Sequence, residues 1–311
     1  MEIVVPDYYE KFKCISEKCK NSCCIGWEID IDPETLEIYK NVGGKLGEKL
    51  KKSINFSAEP PHFITDEKER CPFLDQKGLC ELISEFGEDS LCQICYDHPR
   101  FREFFGDLEE IGLGLCCEAA AKLILNNKNK VNLIKLCEDE EKPIFTEKEK
   151  RIFKKREELF SIFQNRNIPL KQKIKQTAEN YKISPSAEST LSIINKYRNL
   201  ERLDPKWDEF LNKADEKVLT PEELFEKAEE KIPIPCEQLL CYLTYRYFAS
   251  NAKKGNAKNA LNFILEATYF CLLICLFAFG ELNEENFAET CRMFSLEVEY
   301  SEENINKILA I

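Results

Sequence analysis

Histidine, glycine and proline are scarce in this sequence of 311 residues, which contains two histidines, 11 glycines and 13 prolines. Two histidines are too few to favour a hydrolase with a catalytic histidine or an iron site with two histidine ligands. The low content of glycine and proline excludes a fibrous or low-complexity protein. With 43% hydrophobic and 32% charged residues, the composition indicates a soluble globular protein, and the length corresponds to about two domains.

Positive charge and long hydrophobic runs are also lacking. The chain has 44 basic and 56 acidic side chains, a net charge of -12 and no basic run, so nucleic acid and membranes are not expected as partners. The opening residues, Met1 to Asp7, lack the basic and apolar segments of a secretory signal, and we expect a cytoplasmic protein. The most apolar stretch, Ala267 to Phe279, is too short to span a bilayer and predicts a buried core helix.

Cysteine, in contrast, is abundant, with 16 in the chain. Ten precede residue 118, namely Cys14, Cys19, Cys23, Cys24, Cys71, Cys80, Cys92, Cys95, Cys116 and Cys117. In a reducing compartment such a framework is more often a metal site than a set of disulfides. Thiolates at this spacing suit zinc or an iron–sulfur cluster, in one centre or two. The alternative is that individual cysteines serve as small buried hydrophobes.

The other cysteines and His98 are weaker candidates for metal ligands. Cys137 stands alone. Cys271 and Cys275 share a helical face among Phe, Leu and Ile residues, and we predict core packing for them and for Cys236, Cys241 and Cys291. The spacing Cys92-x2-Cys95-x2-His98 is compatible with a zinc site of three cysteines and one histidine, but a hydrogen-bonded turn before Pro99 is favoured for His98.

The pattern of elements predicts a mainly α-helical protein. A cysteine-rich, loop-rich section with a few short strands, residues 1–136, is expected to pack on a helical section, residues 137–311, and the absence of a flexible linker is compatible with one continuous unit. Predicted elements are a brief strand at Trp27 to Ile31, where apolar residues alternate, and a helix from Pro33 to Asn41 capped by Asp32. Residues 45–75 are predicted to be loop with one or two short strands or helical turns around Phe63-Ile64, and a helix is predicted around Glu118 to Leu125 within 109–126. Thr146 with Glu149, and Thr220 before Pro221, predict two further helix starts.

A series of motifs follows in a distinctive order over residues 8–125. They are Tyr8-Tyr9, Phe12-Lys13-Cys14, Cys19, Cys23-Cys24-x-Gly26-Trp27, Asp30-x-Asp32, Cys71-Pro72-Phe73-Leu74-Asp75, Gly78-Leu79-Cys80, Cys95-x3-Pro99-Arg100 and Cys116-x-Glu118-Ala119-Ala120. In this order they resemble the flagellin lysine-N-methylase family, which belongs with the cysteine-cluster domains described as zinc- or iron-chelating. A weaker similarity lies at Tyr245-Arg246-Tyr247-Phe248 and at residues 295–304.

The resemblance implies transfer of a methyl group from S-adenosylmethionine to the ε-amine of lysines on flagellin, by a protein that holds a 4Fe-4S iron–sulfur cluster or zinc. Carried over by position, the implied metal-binding residues are Cys14, Cys19, Cys23, Cys24, Cys71, Cys80, Cys95 and Cys116. Cys92 and Cys117 stand where the family usually has other residues. His98 replaces a usual tyrosine, Leu296 a usual arginine and Tyr300 a usual histidine.

The usual signs of a site for S-adenosylmethionine are missing. Gly112-Leu113-Gly114 follows no strong strand and is more typical of packing at a helix start, and the Cys-x3-Cys-x2-Cys signature of radical enzymes is absent. The catalytic and donor-binding residues therefore stay unassigned, although Tyr96, Asp97 and Glu118 are candidate bases for the lysine proton. A non-enzymatic zinc- or iron-binding module is the alternative function, and an electron carrier is a less favoured third.

Overall fold

A computed structural model describes residues 2–137, 143–183, 190–213 and 220–309. The chain groups into two compact units. We call the smaller one, Lys13–Phe101, the cysteine unit, and the larger one, Met1–Phe12 with Arg102–Ile311, the helical unit. The division after residue 136 that the composition predicts stays a prediction.

Helices dominate the structure, and the predicted mainly α fold is confirmed, with 59% of the chain helical. The strands are β1 (Glu2–Pro6), β2 (Ile54–Asn55), β3 (His62–Phe63), β4 (Arg100–Phe105), β5 (Leu108–Leu113) and β6 (Leu133–Cys137). The helices are α1 (Pro33–Asn41), α2 (Gly44–Ser53), α3 (Glu81–Phe86), α4 (Gln93–Asp97), α5 (Glu118–Leu125), α6 (Glu147–Phe163), α7 (Leu170–Tyr181), α8 (Thr190–Arg198), α9 (Lys206–Asn212), α10 (Pro221–Lys231), α11 (Pro233–Leu243), α12 (Ala249–Lys253), α13 (Ala257–Phe279), α14 (Glu284–Phe294) and α15 (Glu302–Leu309). Two π-helical turns, Thr244–Phe248 and Ser295–Glu299, continue α11 and α14.

The larger sheet has the strand order β4-β5-β1-β6, with β1 parallel to β5 and antiparallel to β6. A two-residue turn joins β4 to β5, and Gly106 adopts a φ of 61° there, a conformation that favours glycine. All six residues of β5 are buried, including two glutamates. Their charges are paired, because Glu109 contacts Arg102 and Glu110 contacts Arg156.

The helix starts that depend on local signals are confirmed. The carboxylate of Asp32 accepts the main-chain N–H of Thr35 at 2.9 Å and caps α1. Thr146 and Thr220 each form a complete capping box, at the starts of α6 and α10. These motifs satisfy N–H groups that lack a partner within the helix, and they need no distant contact.

Three predictions of local structure are wrong. Trp27 to Ile31 forms no strand and makes one isolated bridge, from Asp30 to His62, because the strand beside it is only two residues long. The predicted loop over 45–75 contains α2, whose Leu46 and Leu50 lie on one helical face against the core. Residues 108–113 form β5 instead of helix because they pair with β1, so Gly112 and Leu113 belong to a strand and Gly114 directly follows it.

The predicted core helix is present and is longer than its most apolar part. Helix α13 runs through Asn262 and Glu266, and its length and composition would suffice to cross a membrane. Its most apolar window is 78% buried within the protein, as in the core helix of a globular protein. Cys271 and Cys275 are fully buried on α13, which confirms that they pack in the core, as Cys236, Cys241 and Cys291 also do.

The pair between Glu110 and Arg156 joins β5 to α6, with two hydrogen bonds of 2.5 and 2.6 Å between almost fully buried side chains. Glu110→Gln leaves the buried guanidinium without its counter-charge, and we expect a loss of about 3–5 kcal/mol in the free energy of unfolding. Urea unfolding followed by far-ultraviolet circular dichroism measures it. Glu147→Gln, which breaks an exposed pair with Lys150, is the control and should leave the midpoint unchanged. Equal midpoints for both variants would contradict the role of the buried pair.

Candidate functional site

Five thiols gather at the apolar core of the cysteine unit. They are the buried Cys71 and Cys92 and the half-buried Cys24, Cys80 and Cys95, which pack against the same core. The rings of Phe63 and Phe73, whose centroids are 5.0 Å apart, form part of that core. We call these five residues the thiol group. Four of them belong to the predicted metal-binding set, and Cys92 is the addition.

Main-chain hydrogen bonds bring three of these thiols together from separate loops. The N–H of Cys71 donates to the carbonyl of Cys24 at 2.8 Å. Leu74 and Cys80 form an isolated antiparallel bridge across a short turn. The carboxylate of Asp75 accepts two main-chain N–H groups inside that turn, both at 2.8 Å. The positions of Cys24, Cys71 and Cys80 are therefore set by backbone pairing as well as by burial.

The other two thiols come from the start of α4. Cys92 is the N-cap residue of this helix, and its carbonyl accepts the N–H of Cys95 at 3.0 Å. The N–H of Gln93 donates to the carboxylate of Asp32 at 2.7 Å. Because Asp32 also caps α1, one carboxylate fixes the starts of both helices and thereby the orientation of the Cys92-x2-Cys95 pair.

The buried thiols of this group influence one another's ionisation. Burial, with smaller contributions from the charges of Cys24, Cys80 and Cys92, raises the pKa of Cys71 to about 12. Burial also raises the pKa of Cys80, with contributions from Cys24 and Cys92. Thiolates that repel one another across a low-dielectric space are stabilised together by a cation placed between them.

Two of the thiols ionise more easily. A hydrogen bond with the thiol of Cys23 is the main cause that lowers the pKa of Cys24 to about 7. A hydrogen bond from Cys95 lowers the pKa of Cys92, while the pKa of Cys95 itself is raised. The Cys92-x2-Cys95 pair therefore shares one proton and offers one thiolate before the other.

The remaining predicted metal ligands lie apart from this core or in the other unit. Cys14 is exposed and its sulfur accepts the N–H of Ser16 at 3.4 Å, Cys19 is half-buried, and Cys23 is exposed beside Cys24. Cys116 is buried in the helical unit. The assignment of Cys14, Cys19, Cys23 and Cys116 as metal ligands stays a prediction.

His98 lies in the predicted turn. Its N–H donates to the carbonyl of Ile94 at 3.1 Å, and the residue ends α4 directly before Pro99. Burial, with a contribution from Arg100, lowers the pKa of the ring to about 4, so the imidazole is neutral at pH 7. The turn is confirmed, and a ligand role of His98 is untested.

A second candidate site surrounds Arg246 in the helical unit. The side chain of Arg246 is only 12% exposed, and its Nη1 donates to the hydroxyl of Tyr242 at 2.7 Å. That hydroxyl donates to the carboxylate of Glu299 at 3.0 Å. The guanidinium lies over the rings of Tyr247 and Tyr300, at 5.4 and 5.5 Å from their centroids. Aromatic rings and one carboxylate thus enclose the buried cation.

The two π-helical turns present these side chains. Arg246 and Tyr247 belong to Thr244–Phe248, and Glu299 ends Ser295–Glu299 directly before Tyr300. A π-turn displaces side chains from the α-helical register and is frequent at functional sites. Both turns lie in the two C-terminal segments singled out in the sequence, 245–248 and 295–304, whose weaker family similarity stays a prediction. The signal for this site was therefore in the sequence, although it named no chemical role.

The loop after β5 completes the Arg246 site. The N–H of Leu115 points at the hydroxyl of Tyr242, at 3.4 Å, and the thiol of Cys116 hydrogen-bonds with Tyr300. Burial raises the pKa of Cys116 to about 12. This loop leads from Gly114 into α5, so Gly112 lies within β5 and only Gly114 lies between the strand and the helix.

Glu103, on β4 of the helical unit, is a candidate carboxylate that the sequence does not indicate. It is half-buried, and among the described residues it makes no hydrogen bond or ion pair. Burial raises its pKa, and the charge of Glu110 adds to this, while Lys254 and Arg246 oppose the shift. The predicted candidate base Glu118, in contrast, is ion-paired with Lys122 at 2.9 Å. Glu103 is the better candidate base, since its carboxylate lacks an ion-pair partner among the described residues and its pKa is raised toward neutrality.

Comparison with known proteins confirms the resemblance to the lysine-N-methylases, at low identity. The chain is similar to a protein named lysine-N-methylase in Salmonella typhimurium (strain LT2) and to another in Salmonella choleraesuis (strain SC-B67), with 24% identity over 139 residues in each case. The matched part is 42% of this chain and spans about a third (34%) of the length of either relative. The flagellar biosynthetic protein FliU of Salmonella muenchen is also 24% identical over 139 residues, which is 81% of its length. No family model and no solved structure matches this chain.

The difference between Cys24 and Cys71 predicts a pH-dependent pattern of alkylation. In metal-free protein, the rate at which iodoacetamide modifies Cys24 should rise through about pH 7, because the thiolate is the nucleophile and its pKa is lowered to about 7. Cys71, with its pKa raised to about 12, should stay unmodified until the solution is strongly alkaline. Mass spectrometry of peptides measures both. Equal rates for the two residues at pH 7 would contradict the electrostatic description of the thiol group.

Proposed function

We propose that this protein is a protein-lysine N-methyltransferase, which transfers a methyl group from S-adenosylmethionine to lysine side chains of a flagellin-like protein in the cytoplasm. The thiol group is the observation that supports the proposal, because four of its five cysteines belong to the set implied by the family pattern and all five pack at one apolar core. The names of the relatives supply the reaction, and the name of FliU supplies the link to flagella.

The donor set of the thiol group fits a cysteine-bound metal centre. Four thiolates are the usual ligands of zinc or of a 4Fe-4S cluster, and the group offers five sulfurs. Of the two kinds of centre, we propose the iron–sulfur cluster that the family resemblance implies. Cys24, Cys71, Cys80, Cys92 and Cys95 would hold such a cluster, which would order the loops of the cysteine unit and would supply the chemistry of iron to the methyl donor.

The Arg246 site supplies the groups that the acceptor lysine requires. A lysine ammonium must lose its proton before the nitrogen can attack, and Glu103 accepts that proton. The neutral amine then forms a bond to the methyl carbon, the bond from this carbon to the donor sulfur breaks, and S-adenosylhomocysteine leaves. The half-exposed ring of Tyr300 contributes an aromatic surface for the approaching side chain.

A metal-binding module without enzymatic activity is the second candidate function. The observation in its favour is that the thiol group lies entirely within Lys13–Phe101, a compact unit. A zinc- or iron-binding role then needs nothing from the Arg246 site. The two functions differ in one measurable property, the appearance of methyl groups on lysine.

The metal proposal is tested by anaerobic purification, metal analysis and a visible spectrum. We expect iron, inorganic sulfide and a brown colour in the wild-type protein. Cys71→Ser should remove most of the metal, because Cys71 is buried at the centre of the thiol group. Cys137→Ser is the matched control, since Cys137 is exposed, and it should keep the full metal content. Full retention of metal in Cys71→Ser would contradict the assignment. A colourless wild-type protein that contains zinc would show that the centre is a zinc site and not an iron–sulfur cluster.

The catalytic proposal is tested by incubation with S-adenosylmethionine and flagellin, followed by mass spectrometry of lysine-containing peptides. We expect added methyl groups with the wild-type protein. Glu103→Gln should lower kcat about 10²- to 10⁴-fold, the usual contribution of a general base, with unchanged metal content.

The pH profile separates the role of Glu103 from a structural one. Wild-type activity should fall as the pH drops through the raised pKa of Glu103, because the protonated carboxyl accepts no proton. The residual activity of Glu103→Gln should lack that decline. Asp107→Asn, on the exposed turn of the same hairpin, is the control and should behave as the wild type. Wild-type activity in Glu103→Gln would exclude Glu103 as the base, and the absence of methylation with every variant would favour the metal-binding module.

A further inference from the structure

Three extended segments of the cysteine unit form a small layer with one buried and one polar face. The N–H of Phe63 donates to the carbonyl of Ile29 at 3.0 Å, and the N–H of Ile31 donates to that of Pro61 at 2.8 Å, so residues 29–31 pair with the chain around β3. On its other edge β3 pairs with β2, with Ile54 opposite Phe63. The side chains of Ile29, Ile31, Ile54 and Phe63 are all buried in the core of the unit.

The opposite face of the layer carries polar side chains. Asn55 and Asp30 both stand opposite His62, one on each side of it. Residues opposite each other across paired strands project to the same face, and Glu28 joins them because it precedes Asp30 by two positions. The burial of Ile29 and Ile31 therefore forces Glu28 and Asp30 to converge on His62.

The side chains of Glu28, Asp30 and His62 are close enough to share one ion. One oxygen of each carboxylate and one ring nitrogen of His62 all lie within 4.8 Å of one another. The closest approach is 3.3 Å, from Nε2 of His62 to Oε2 of Glu28. Within the described ranges neither carboxylate forms an ion pair with a lysine or an arginine, so its negative charge is not met by a basic side chain.

The second ring nitrogen of His62 indicates which atom faces the carboxylates. Nδ1 lies 3.4 Å from the carbonyl oxygen of Pro60, which can only accept a hydrogen bond. In the tautomer that donates from Nδ1 to this carbonyl, the lone pair of Nε2 faces Glu28, whose Oε2 lies 3.3 Å away. A histidine that ligates a metal usually donates its other ring N–H to a backbone carbonyl in this way. The side chain of Asn55, with Nδ2 at 3.5 Å from Nε2, offers a donor to the same lone pair.

We propose that Glu28, Asp30 and His62 form a binding site for a divalent cation, separate from the thiol group. Two carboxylates without a lysine or arginine partner, converging on one imidazole, can share a cation as a common ligand set. Two oxygen donors and one imidazole suit manganese, ferrous iron or zinc, with water in the remaining coordination positions. The ion joins the 28–30 segment to β3 and stabilises the unit by binding its folded state. The site does not depend on the proposed methyl transfer.

Manganese is the probe that separates this site from the cysteines. Mn²⁺ stands lowest in the affinity order of the divalent transition metals and prefers oxygen and nitrogen donors to thiolates. Titration of the full-length protein with MnCl₂, followed by electron paramagnetic resonance of the free ion, should give one Mn²⁺ bound per chain. Loss of a residue that only supports a ligand weakens metal affinity about 10- to 100-fold, so Asp30→Asn and His62→Ala should each weaken binding at least that much. Glu85→Gln, an exposed carboxylate of the same unit, should bind as the wild type.

The two histidines provide a readout that does not depend on a ligand variant. Comparison of the proton spectra of the wild-type protein and of His62→Ala assigns the ring signals, since the chain contains only His62 and His98. Substoichiometric Mn²⁺ should broaden the signals of His62 before those of His98, because a bound paramagnetic ion broadens the nuclei of its own ligand most. Three results would overturn the proposal: no Mn²⁺ bound, wild-type affinity in Asp30→Asn, or stronger broadening of His98 than of His62. Either of the last two results would mean that Glu28 and His62 form an ion pair and not part of a cation site.

Discussion

The apolar core of the cysteine unit has to be enclosed by a chain with little regular structure, and this constraint decides where its thiols lie. Helices α3 and α4 have six and five residues, and β2 and β3 have two each. Ordering each backbone residue costs roughly 1–2 kcal/mol, which the burial of a few aromatic rings offsets only in part. Cysteine meets the constraint in two ways, because its small side chain completes an apolar core and its sulfur can cross-link loops through a metal.

In the helical unit, the main constraint is the burial of charged side chains and not the closure of loops. Buried ions there are paired, as Glu110 is with Arg156 and Glu299 with Arg246. The π-helical turns let Arg246 and Glu299 reach the same point from two helices that otherwise pack through apolar faces. Glu103 departs from this rule, since its raised pKa comes from burial without a hydrogen-bonding partner. A group that is costly to keep ionised is a common sign of function, and it distinguishes Glu103 from the paired Glu118.

Structural features that depend on neighbouring residues could be predicted from the sequence. Features that depend on pairing between segments distant in the chain could not. The caps at Asp32, Thr146 and Thr220 are local, and each was predictable. The alternation from Trp27 to Ile31 correctly indicated which side chains are buried, but no local signal shows that β3 offers only two residues for pairing. Cys92 was left out of the implied ligands because the family differs there, although its position at the core follows from α4. Glu103 has no motif at all, and its surroundings come from residues that are distant in the sequence.

The cysteine unit therefore presents two donor chemistries that a short stretch of chain keeps apart. Cys24 opens a segment whose inward side chains, Ile29 and Ile31, complete the core, while Glu28 and Asp30 face away from it beside His62. Soft thiolates select zinc or iron–sulfur clusters, whereas carboxylates with one imidazole accept harder divalent ions. Because the period of an extended chain is two, a shift of one residue in this segment would bury the carboxylates and expose the isoleucines. The hydrophobic alternation that builds the core thus also enforces the separation of oxygen and nitrogen donors from sulfur, and with it the kind of metal that each face can hold.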